Sequence, residues 1–321
     1  MRLSRRHLLA LMVAALLPSV APAQSNWPSK PVRIVVPVPP GGGVDIYVRA
    51  LAEQLGPVLG QTVIVDNKPG AAGVLAVKSM ALENDGHTIL YIHSGMVTAQ
   101  VITGRMDMLA ELKPVARLSH SPLVVAVKAD APYKTLGDLI KAVKAQPDKL
   151  SFGSGGVGSP PHLAVAQFDA AVGGFDVLHV PYKGAIQSAT ALAGGEVDFI
   201  VGIVGPVVPL VQAGKVRLLA VSSGKRLPLL PNVPTMAEAS GTSFVAEPWG
   251  GLAIPAKGPD AAIKRLAEVL PKVMQIASVK EAATRMAVVE DYADAQEFRA
   301  QIAMSIEAEK PLVKKLDLKA E

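Results

Sequence analysis

Short runs of aliphatic and β-branched residues alternate with amphipathic segments along most of the chain. The run at 32–38 is bounded by prolines and predicts a strand, and apolar residues at helical spacing follow over 44–55. The alternation continues with a strand at 63–65, a helix at 73–82 and a strand at 88–92. This pattern predicts a mostly parallel sheet covered by helices on both faces.

A second unit with the same alternation begins near Leu123. Its strands are predicted at 123–127, 151–153, 177–180, 197–201 and 216–221, and its helices at 136–145, 161–171 and 185–193. A stretch rich in helix breakers, 234–251, is typical of a crossing segment, and helical spacing returns at 259–277 and 293–315. We therefore expect an α/β protein with two lobes, each a mostly parallel sheet flanked by helices: lobe one at 24–121 plus 249–321, and lobe two at 122–248.

The first 23 residues have the features of a cleaved export signal. Three arginines precede an apolar run of ten residues at 8–17, and small residues suited to cleavage follow at 21–23. The run at 4–9 fits a twin-arginine signal, and an ordinary secretory (Sec) signal is the alternative. We expect a mature chain starting near Gln24 in the periplasm, because no later stretch reaches the roughly 18 apolar residues that a spanning helix needs.

Charge and composition exclude several kinds of function. Without the three signal arginines, 29 basic residues stand against 27 acidic ones, a net charge of +2. Aromatic residues make up 4% of the chain and no basic stripe is present, so we expect no nucleic-acid partner. The absence of cysteine excludes thiol nucleophiles and cysteine–metal sites. A chain of this length buries a sufficient core without disulfides. We expect no metal, no cofactor and a monomer.

A glycine-rich segment, residues 39–45, joins the first strand to the first helix, and we name it loop one. Gly41, Gly42 and Gly43 allow a ligand to approach the main chain closely. The first turn of a helix carries unpaired N–H groups and partial positive charge, which favours a carboxylate or a phosphate. A tight turn without a ligand is the alternative, and Asp45 either orients the loop or simply suits the helix dipole.

A second glycine-rich segment covers 153–162, and we name its residues 154–159 loop two. The hydroxyls of Ser154 and Ser159 are candidate donors to an oxyanion, with a flexible turn and a capping serine as the alternative. His162 either reaches the ligand or lies at the surface. Ligands in open α/β sheets lie outside the carboxyl ends of strands, and one such loop in each lobe strengthens both assignments.

Neither loop matches a catalytic or nucleotide-binding motif. The Gly-Lys-Ser/Thr of a P-loop and the third glycine of a dinucleotide fingerprint are missing, and Gly-x-Ser-x-Gly is absent around Ser94 and Ser154. The sequence has no His-Glu-x-x-His and no acid–base pair at an informative spacing. These observations favour a non-enzymatic binding protein.

A series of short motifs extends over nearly the whole mature chain. They occupy 27–37, 39–45, 66–73, 150–154, 179–184, 194–198, 212–217 and 230–239. In this order and spacing they resemble the Bug-type extracytoplasmic receptors, the substrate-binding subunits of tripartite tricarboxylate transporters. The resemblance implies a type II-like periplasmic binding fold with the ligand cleft between two lobes. It also implies a ligand carboxylate against loop one and the other end of the ligand against loop two.

The loops and the resemblance together give the candidate ligand-binding residues. These are Val38, Gly41, Gly42, Gly43, Val44 and Asp45 around loop one, Ser94 after the third strand, Ser154, Gly155, Gly156, Val157, Gly158, Ser159 and His162 around loop two, and Gly202 near the end of a later strand. The family often has an aromatic residue where Val38 stands, a hydroxyl where Val44 stands and a polar residue near Gly202. We therefore expect a carboxylate ligand with an apolar or aromatic body.

The resemblance implies a solute receptor whose lobes close around a small carboxylate and deliver it to the membrane permease subunits. Closure is expected about the crossing segments at 120–123 and 244–252. Trp249 is a candidate hinge-packing residue, with ligand stacking as the alternative. A sensory subunit that presents its ligand to a membrane signalling protein and a periplasmic enzyme acting on a carboxylate remain alternative functions.

Overall fold

The computed structural model of the protein describes residues 27–80 and 82–319. The predicted export signal and its cleavage site lie outside the described residues. Within the described part, no helix is both long enough and apolar enough to cross a membrane.

Eleven strands and twelve α-helices make up the described chain. In chain order they are β1 (Val32–Val36), α1 (Gly43–Leu59), β2 (Val63–Asn67), α2 (Val74–Ser79), β3 (Thr88–His93), α3 (Ser94–Thr103), α4 (Met108–Glu111), β4 (Leu112–His120), β5 (Leu123–Lys128), α5 (Leu136–Ala145), β6 (Ser151–Ser154), α6 (Pro160–Ala171), β7 (Leu178–Pro181), α7 (Ala185–Gly194), β8 (Phe199–Ile203), α8 (Val204–Gln212), β9 (Val216–Val221), α9 (Met236–Ser240), β10 (Trp249–Pro255), α10 (Asp260–Val273), α11 (Ala277–Arg285), β11 (Val289–Ala293) and α12 (Ala295–Lys315).

The strands form two separate sheets. The first has the order β11-β4-β10-β3-β1-β2, and the second has the order β7-β6-β8-β5-β9. The first sheet takes its strands from 32–120 and 249–293, and the second from 123–221. The predicted α/β architecture with two lobes is therefore confirmed. The division of strands supports our proposal that the lobes are 24–121 plus 249–321 and 122–248.

Both sheets are mixed, although four of the six strands in the first sheet and four of the five in the second run in one direction, as a mostly parallel sheet requires. Strand β5 is antiparallel to β8 and β9, and strand β10 is antiparallel to β3 and β4. The reason is the crossing between lobes. Strands β5 and β10 start at the lobe boundary, directly after the chain has crossed it, and run away from it. Strands β1, β3, β6 and β8 run toward the boundary, so their carboxyl ends lie there.

Each sheet buries apolar side chains on both faces. Helices α1, α10 and α11 cover one face of the first sheet, and α2, α3 and α12 cover the other. Helices α5, α6 and α9 cover one face of the second sheet, and α7 and α8 cover the other. These layers leave the carboxyl ends of the parallel strands at the lobe boundary, where the loops after them are held between two packed bodies.

Candidate functional site

Helices α1, α3, α6 and α8 all begin at the lobe boundary, after the strands that run toward it. Their N-cap residues make no side-chain capping hydrogen bond; they are Gly42, His93, Ser159 and Ile203. Four helices elsewhere are capped by side chains of Asp107, Thr135, Thr235 and Asp294, although α2, α10 and α11 are not. The boundary therefore receives helix N-termini from both lobes with first-turn amides that no side chain caps.

Asp45 orders loop one through its carboxylate. The carboxylate accepts hydrogen bonds from Gly41 N at 2.8 Å, Arg49 Nε at 3.0 Å and Asn67 Nδ2 at 2.8 Å. Asn67 Nδ2 also donates to the carbonyl of Val38 at 3.1 Å. Burial raises the pKa of Asp45, but the hydrogen bonds from Arg49, Gly41 and Asn67 outweigh it and hold that pKa below its ordinary value. Asp45 therefore orients the loop and does more than suit the helix dipole.

The glycines of loop one differ in what they require. Gly41 has φ of +82°, a left-handed conformation that favours glycine. Gly42 has an extended backbone, φ −77° and ψ 165°, and a Cβ there would meet only Pro39 O at 3.8 Å. The amides of Gly42, Gly43 and Val44 donate to no group of the described chain. A Cβ at Gly42 would thus be compatible with the fold, on the residue that carries the first of those amides.

The serines of loop two bind the loop's own main chain in this structure. Ser154 Oγ accepts from Gly156 N at 3.1 Å and lies 3.0 Å from Gly156 O, and Ser159 Oγ donates to the same carbonyl at 2.7 Å. The amides of Gly155 and Val157 have no hydrogen-bond acceptor among the residues described. Main-chain N–H groups are accordingly the groups that loop two offers a ligand here, and a direct role for the two hydroxyls stays a prediction.

Two histidines lie beneath loop two. His162 is buried, 7% exposed, and its Nδ1 accepts a hydrogen bond from Gly158 N at 3.1 Å. The surface position considered for His162 is therefore wrong. Its ring stacks on His179 with centroids 4.0 Å apart, and His179 Nε2 lies 2.7 Å from Ser154 Oγ. No spacing in the sequence indicated that His179 belongs to this site.

The remaining predicted residues occupy different places at the boundary. Ser94 is the first residue of α3, and its buried Oγ has no partner among the described residues. Val157 is 52% exposed on loop two. Gly202 is buried inside β8, paired with Val124. Across β8 and α8, the glycine that lies at the lobe boundary is Gly205, in the first turn of α8, and not Gly202.

Apolar side chains that the sequence analysis did not identify line the boundary. Met286 follows α11 and lies close to two glycines. A Cβ placed on Gly43 would lie 3.5 Å from Met286 Cβ, and a Cβ placed on Gly205 would lie 3.2 Å from the Met286 carbonyl oxygen. On the other side, a Cβ on Gly158 would come within 3.1 Å of Ile102 Cδ1. Met286 and Ile102 lie in segments without a motif, so only the folded chain brings them to the loops.

A cavity of about 230 Å³ lies between the lobes beside the crossing segments. Its walls include Ser94, Pro160, Gln167, Trp249 and Glu309. Trp249 is 5% exposed, packs edge-on against Phe298 and donates from Nε1 to Ser305 Oγ at 3.2 Å. These contacts agree with hinge packing as the role of Trp249. Among residues 27–80 and 82–319, no group of three or more His, Asp or Glu side chains is placed to hold a metal ion.

Two α/β lobes joined by crossing strands, with helix N-termini from both lobes at their boundary, define the class of two-lobed periplasmic binding proteins. Within that class, the chain belongs to the tripartite tricarboxylate transporter receptor family, whose model matches residues 47–318. The protein BugT of Bordetella pertussis is 33% identical over 281 residues, which cover 85% of this chain and 82% of BugT. The resemblance to Bug-type receptors is thereby confirmed.

Solved structures of related proteins have the same fold. The periplasmic binding protein BugD is 28% identical with a TM-score of 0.77, over 92% of this chain and 100% of BugD. A protein of R. palustris with adipate is 26% identical with a TM-score of 0.80, over 91% of this chain and 99% of that one. A protein of Rhodopseudomonas palustris with bound malate is 25% identical with a TM-score of 0.74, over 89% of this chain and 100% of that one.

Proposed function

We propose that this receptor binds a small organic carboxylate between loop one and loop two and delivers it, in the periplasm, to the permease subunits of a tripartite tricarboxylate transporter. The mature chain acts as a monomer without a cofactor, and it carries out no reaction on its ligand. The relatives with adipate and malate support a carboxylate as the ligand class.

The observation that carries this proposal is the set of unpaired amides at the lobe boundary. Loop one offers those of Gly42, Gly43 and Val44, and loop two offers those of Gly155 and Val157. Helix N-termini with free N–H groups stabilise anions through hydrogen bonds and the helix dipole. A ligand that bridges both loops stabilises the closed form by the difference between its affinities for the closed and open forms.

Apolar side chains favour a ligand with an apolar body. Met286 lies against loop one, Ile102 lies against loop two, and Val38 and Val44 are half-buried beside the glycines. Burial of methylene or aromatic groups of a ligand against these side chains contributes a favourable free energy of roughly 25 cal/mol per Å² of apolar area. We propose that the ligand combines one carboxylate, bound by amides, with an apolar or aromatic chain.

A thermal-shift screen tests the ligand class. The panel contains adipate, malate, a tricarboxylate, benzoate, and neutral and cationic solutes of similar size. A true ligand at about 100 times its dissociation constant adds about 2.7 kcal/mol of stability, so its melting shift is readily detected. Stabilisation by a neutral or cationic solute, with no response to any acid, would overturn the proposal. Chemical conversion of a bound acid would favour an enzyme instead.

A substitution in loop one tests the site itself. Gly42→Val is expected to abolish carboxylate binding and to leave the melting temperature nearly unchanged, because its side chain stands on the residue that carries the first of the loop-one amides and its Cβ makes no clash. The matched control is Gly137→Val, which places the same side chain in the first turn of α5, a helix that starts with a side-chain cap. Isothermal titration of both variants measures the effect. Unchanged affinity in Gly42→Val would remove loop one from the site.

A further inference from the structure

The conformation of loop two depends on two stacked imidazoles that belong to neighbouring elements. His162 is on α6 and His179 is on β7, and their rings are 4.0 Å apart with an interplanar angle of 10°. Phe152 of β6 stacks against both rings, at 4.7 Å from His179 and 6.1 Å from His162. This aromatic stack forms the floor on which loop two lies.

Each imidazole makes a hydrogen bond into the loop. His162 Nδ1 accepts from Gly158 N at 3.1 Å, which assigns the ring proton of neutral His162 to Nε2. His179 Nε2 lies 2.7 Å from Ser154 Oγ, and that hydroxyl accepts from Gly156 N at 3.1 Å. Gly156 and Gly158 have φ of +125° and +71°, which glycine adopts without steric cost, so the hydrogen bonds to Ser154 and His162 select this loop conformation among several that are open to the chain.

Protonation affects the two contacts differently. An imidazolium has two N–H donors and no acceptor, so protonated His162 cannot accept the Gly158 amide. Protonated His179 still donates from Nε2 to the Ser154 hydroxyl. The critical acceptor is therefore His162 Nδ1, and its loss leaves the N–H of buried Gly158 without a partner.

The surroundings keep both rings neutral near pH 7. Burial lowers the pKa of His162, and burial together with the neighbouring His162 lowers the pKa of His179 to about 4. The other ionisable residue of α6 is Asp169, about 10 Å along the helix, and it pairs with Lys315 at 3.1 Å. Strands β6 and β8 and residues 155–159 contain no ionisable side chain. Helix α12 packs against α6 and places Glu309 in the cavity that Pro160 and Gln167 also line. Glu309 is therefore the titrating group that α12 brings to α6, and His162→Asn keeps it, so a comparison of that variant with the wild type isolates the effect of His162.

We propose that His162 and His179 are positioning residues for loop two, and that protonation of His162 releases the loop and lowers the affinity for the ligand. This inference rests on the proposed function, since loop two is taken to bind the carboxylate. It assigns the loop conformation to neutral imidazoles and predicts that binding is lost on the acid side of the ordinary histidine pKa.

Two substitutions separate the hydrogen bond from the packing of the ring. His162→Leu removes the acceptor, and we expect its affinity for adipate at pH 7.5 to fall by about tenfold or more, because an unpaired buried amide is costly. His162→Asn places an amide oxygen near the position of Nδ1 and is expected to bind adipate within about threefold of the wild type. Melting curves of both variants show whether each one folds.

The pH dependence of adipate affinity distinguishes the proposed role of His162 from a purely structural one. Adipate itself takes up protons toward pH 4 and weakens binding to both proteins, so the quantity to follow is the ratio of the two affinities. Between pH 7.5 and 4, the affinity of the wild type is expected to fall relative to that of His162→Asn as His162 takes up a proton. Equal pH profiles in the two proteins, or unchanged affinity in a folded His162→Leu variant, would overturn the inference.

A measurement without ligand keeps this inference distinct from the proposed function. In ¹⁵N-labelled wild type, the amide signals of Gly156 and Gly158 are expected to shift as His162 titrates, and Gly158 is expected to exchange faster with solvent in His162→Leu. Unchanged Gly158 exchange in that variant would refute the positioning role even if no carboxylate binds. A failure of adipate to bind the wild type, with the Gly158 changes present, would instead contradict the proposed function.

Discussion

At the scale of single residues, the side chains of Asp45 and His162 hold the shapes of loop one and loop two. Asp45 holds the Gly41 amide of loop one, and His162 holds the Gly158 amide of loop two. Both glycines have positive φ, so each contact stabilises a backbone conformation that an isolated chain adopts only part of the time. The sequence indicated the glycines but left the roles of Asp45 and His162 open, because those roles depend on partners that only folding brings near.

Asp45→Ala is expected to lower the free energy of unfolding by about 1–3 kcal/mol, since it leaves Gly41 N, Arg49 and Asn67 without their acceptor. The lowered pKa gives the pH dependence a definite sign. The stabilisation is present above the ordinary value of 3.8 and is lost as the pH falls through the lower folded-state pKa. Urea unfolding at pH 7 measures the change. The control Asp130→Ala removes an exposed pair with Lys128 and should leave the free energy of unfolding nearly unchanged; an equally small effect of Asp45→Ala would contradict its role.

At the scale of helices and strands, periodicity predicted the elements that alternate and missed those that depend on tertiary pairing. Helix α5 matches its prediction at both ends, and helix α12 begins two residues later than predicted. Strands β4, β10 and β11 were not predicted. The first three residues of β10 fell in the crossing segment predicted at 234–251, which is rich in helix breakers, yet β10 lies inside the first sheet. Neighbouring strands, which the local pattern does not show, decide its conformation.

Gly250, one of the two glycines that weaken the strand pattern of β10, is required by packing. A Cβ on Gly250 would overlap the hydroxyl and ring of Tyr91 on the adjacent strand β3. Gly250→Ala is therefore expected to destabilise the protein by about 1–3 kcal/mol through overpacking. The matched substitution Gly137→Ala, in the first turn of α5, is expected to be neutral or stabilising by up to about 1 kcal/mol. Thermal unfolding of both variants measures the difference, and equal melting temperatures would contradict the packing reason.

At the scale of the whole molecule, two lobes meet along a boundary that contains both the loops and a buried acid. Glu309 of α12 lines the cavity beside the crossing segments, together with residues of α6 from the other lobe. Burial raises the pKa of Glu309 to about 7, and the nearby Thr98 hydroxyl opposes that change. The sequence predicted the two lobes and their loops, but it gave no sign of this acid, because its burial depends on how the lobes meet.

The sign of the Glu309 effect follows from its raised pKa. Between pH 4.5 and about 7 the folded protein keeps a proton that the unfolded chain has lost, so this residue makes stability fall as the pH rises through that window. Glu309→Gln is therefore expected to gain stability relative to the wild type from pH 4.5 to about 7 and to gain no more above it. Glu307→Gln, at an exposed ion pair with Lys310, is the control. A constant difference between Glu309→Gln and the wild type across this window would show that Glu309 is not held protonated.

If amides from both lobes bind one carboxylate, an acid must perturb both loops at once. Titration of ¹⁵N-labelled protein with adipate, or with the acid that the screen identifies, shows this in the amide signals. We expect Gly42 and Gly43 of loop one and Gly155 and Val157 of loop two to shift together, with one ligand bound per chain. Shifts confined to one loop, or no shift in either loop at saturating acid, would contradict it.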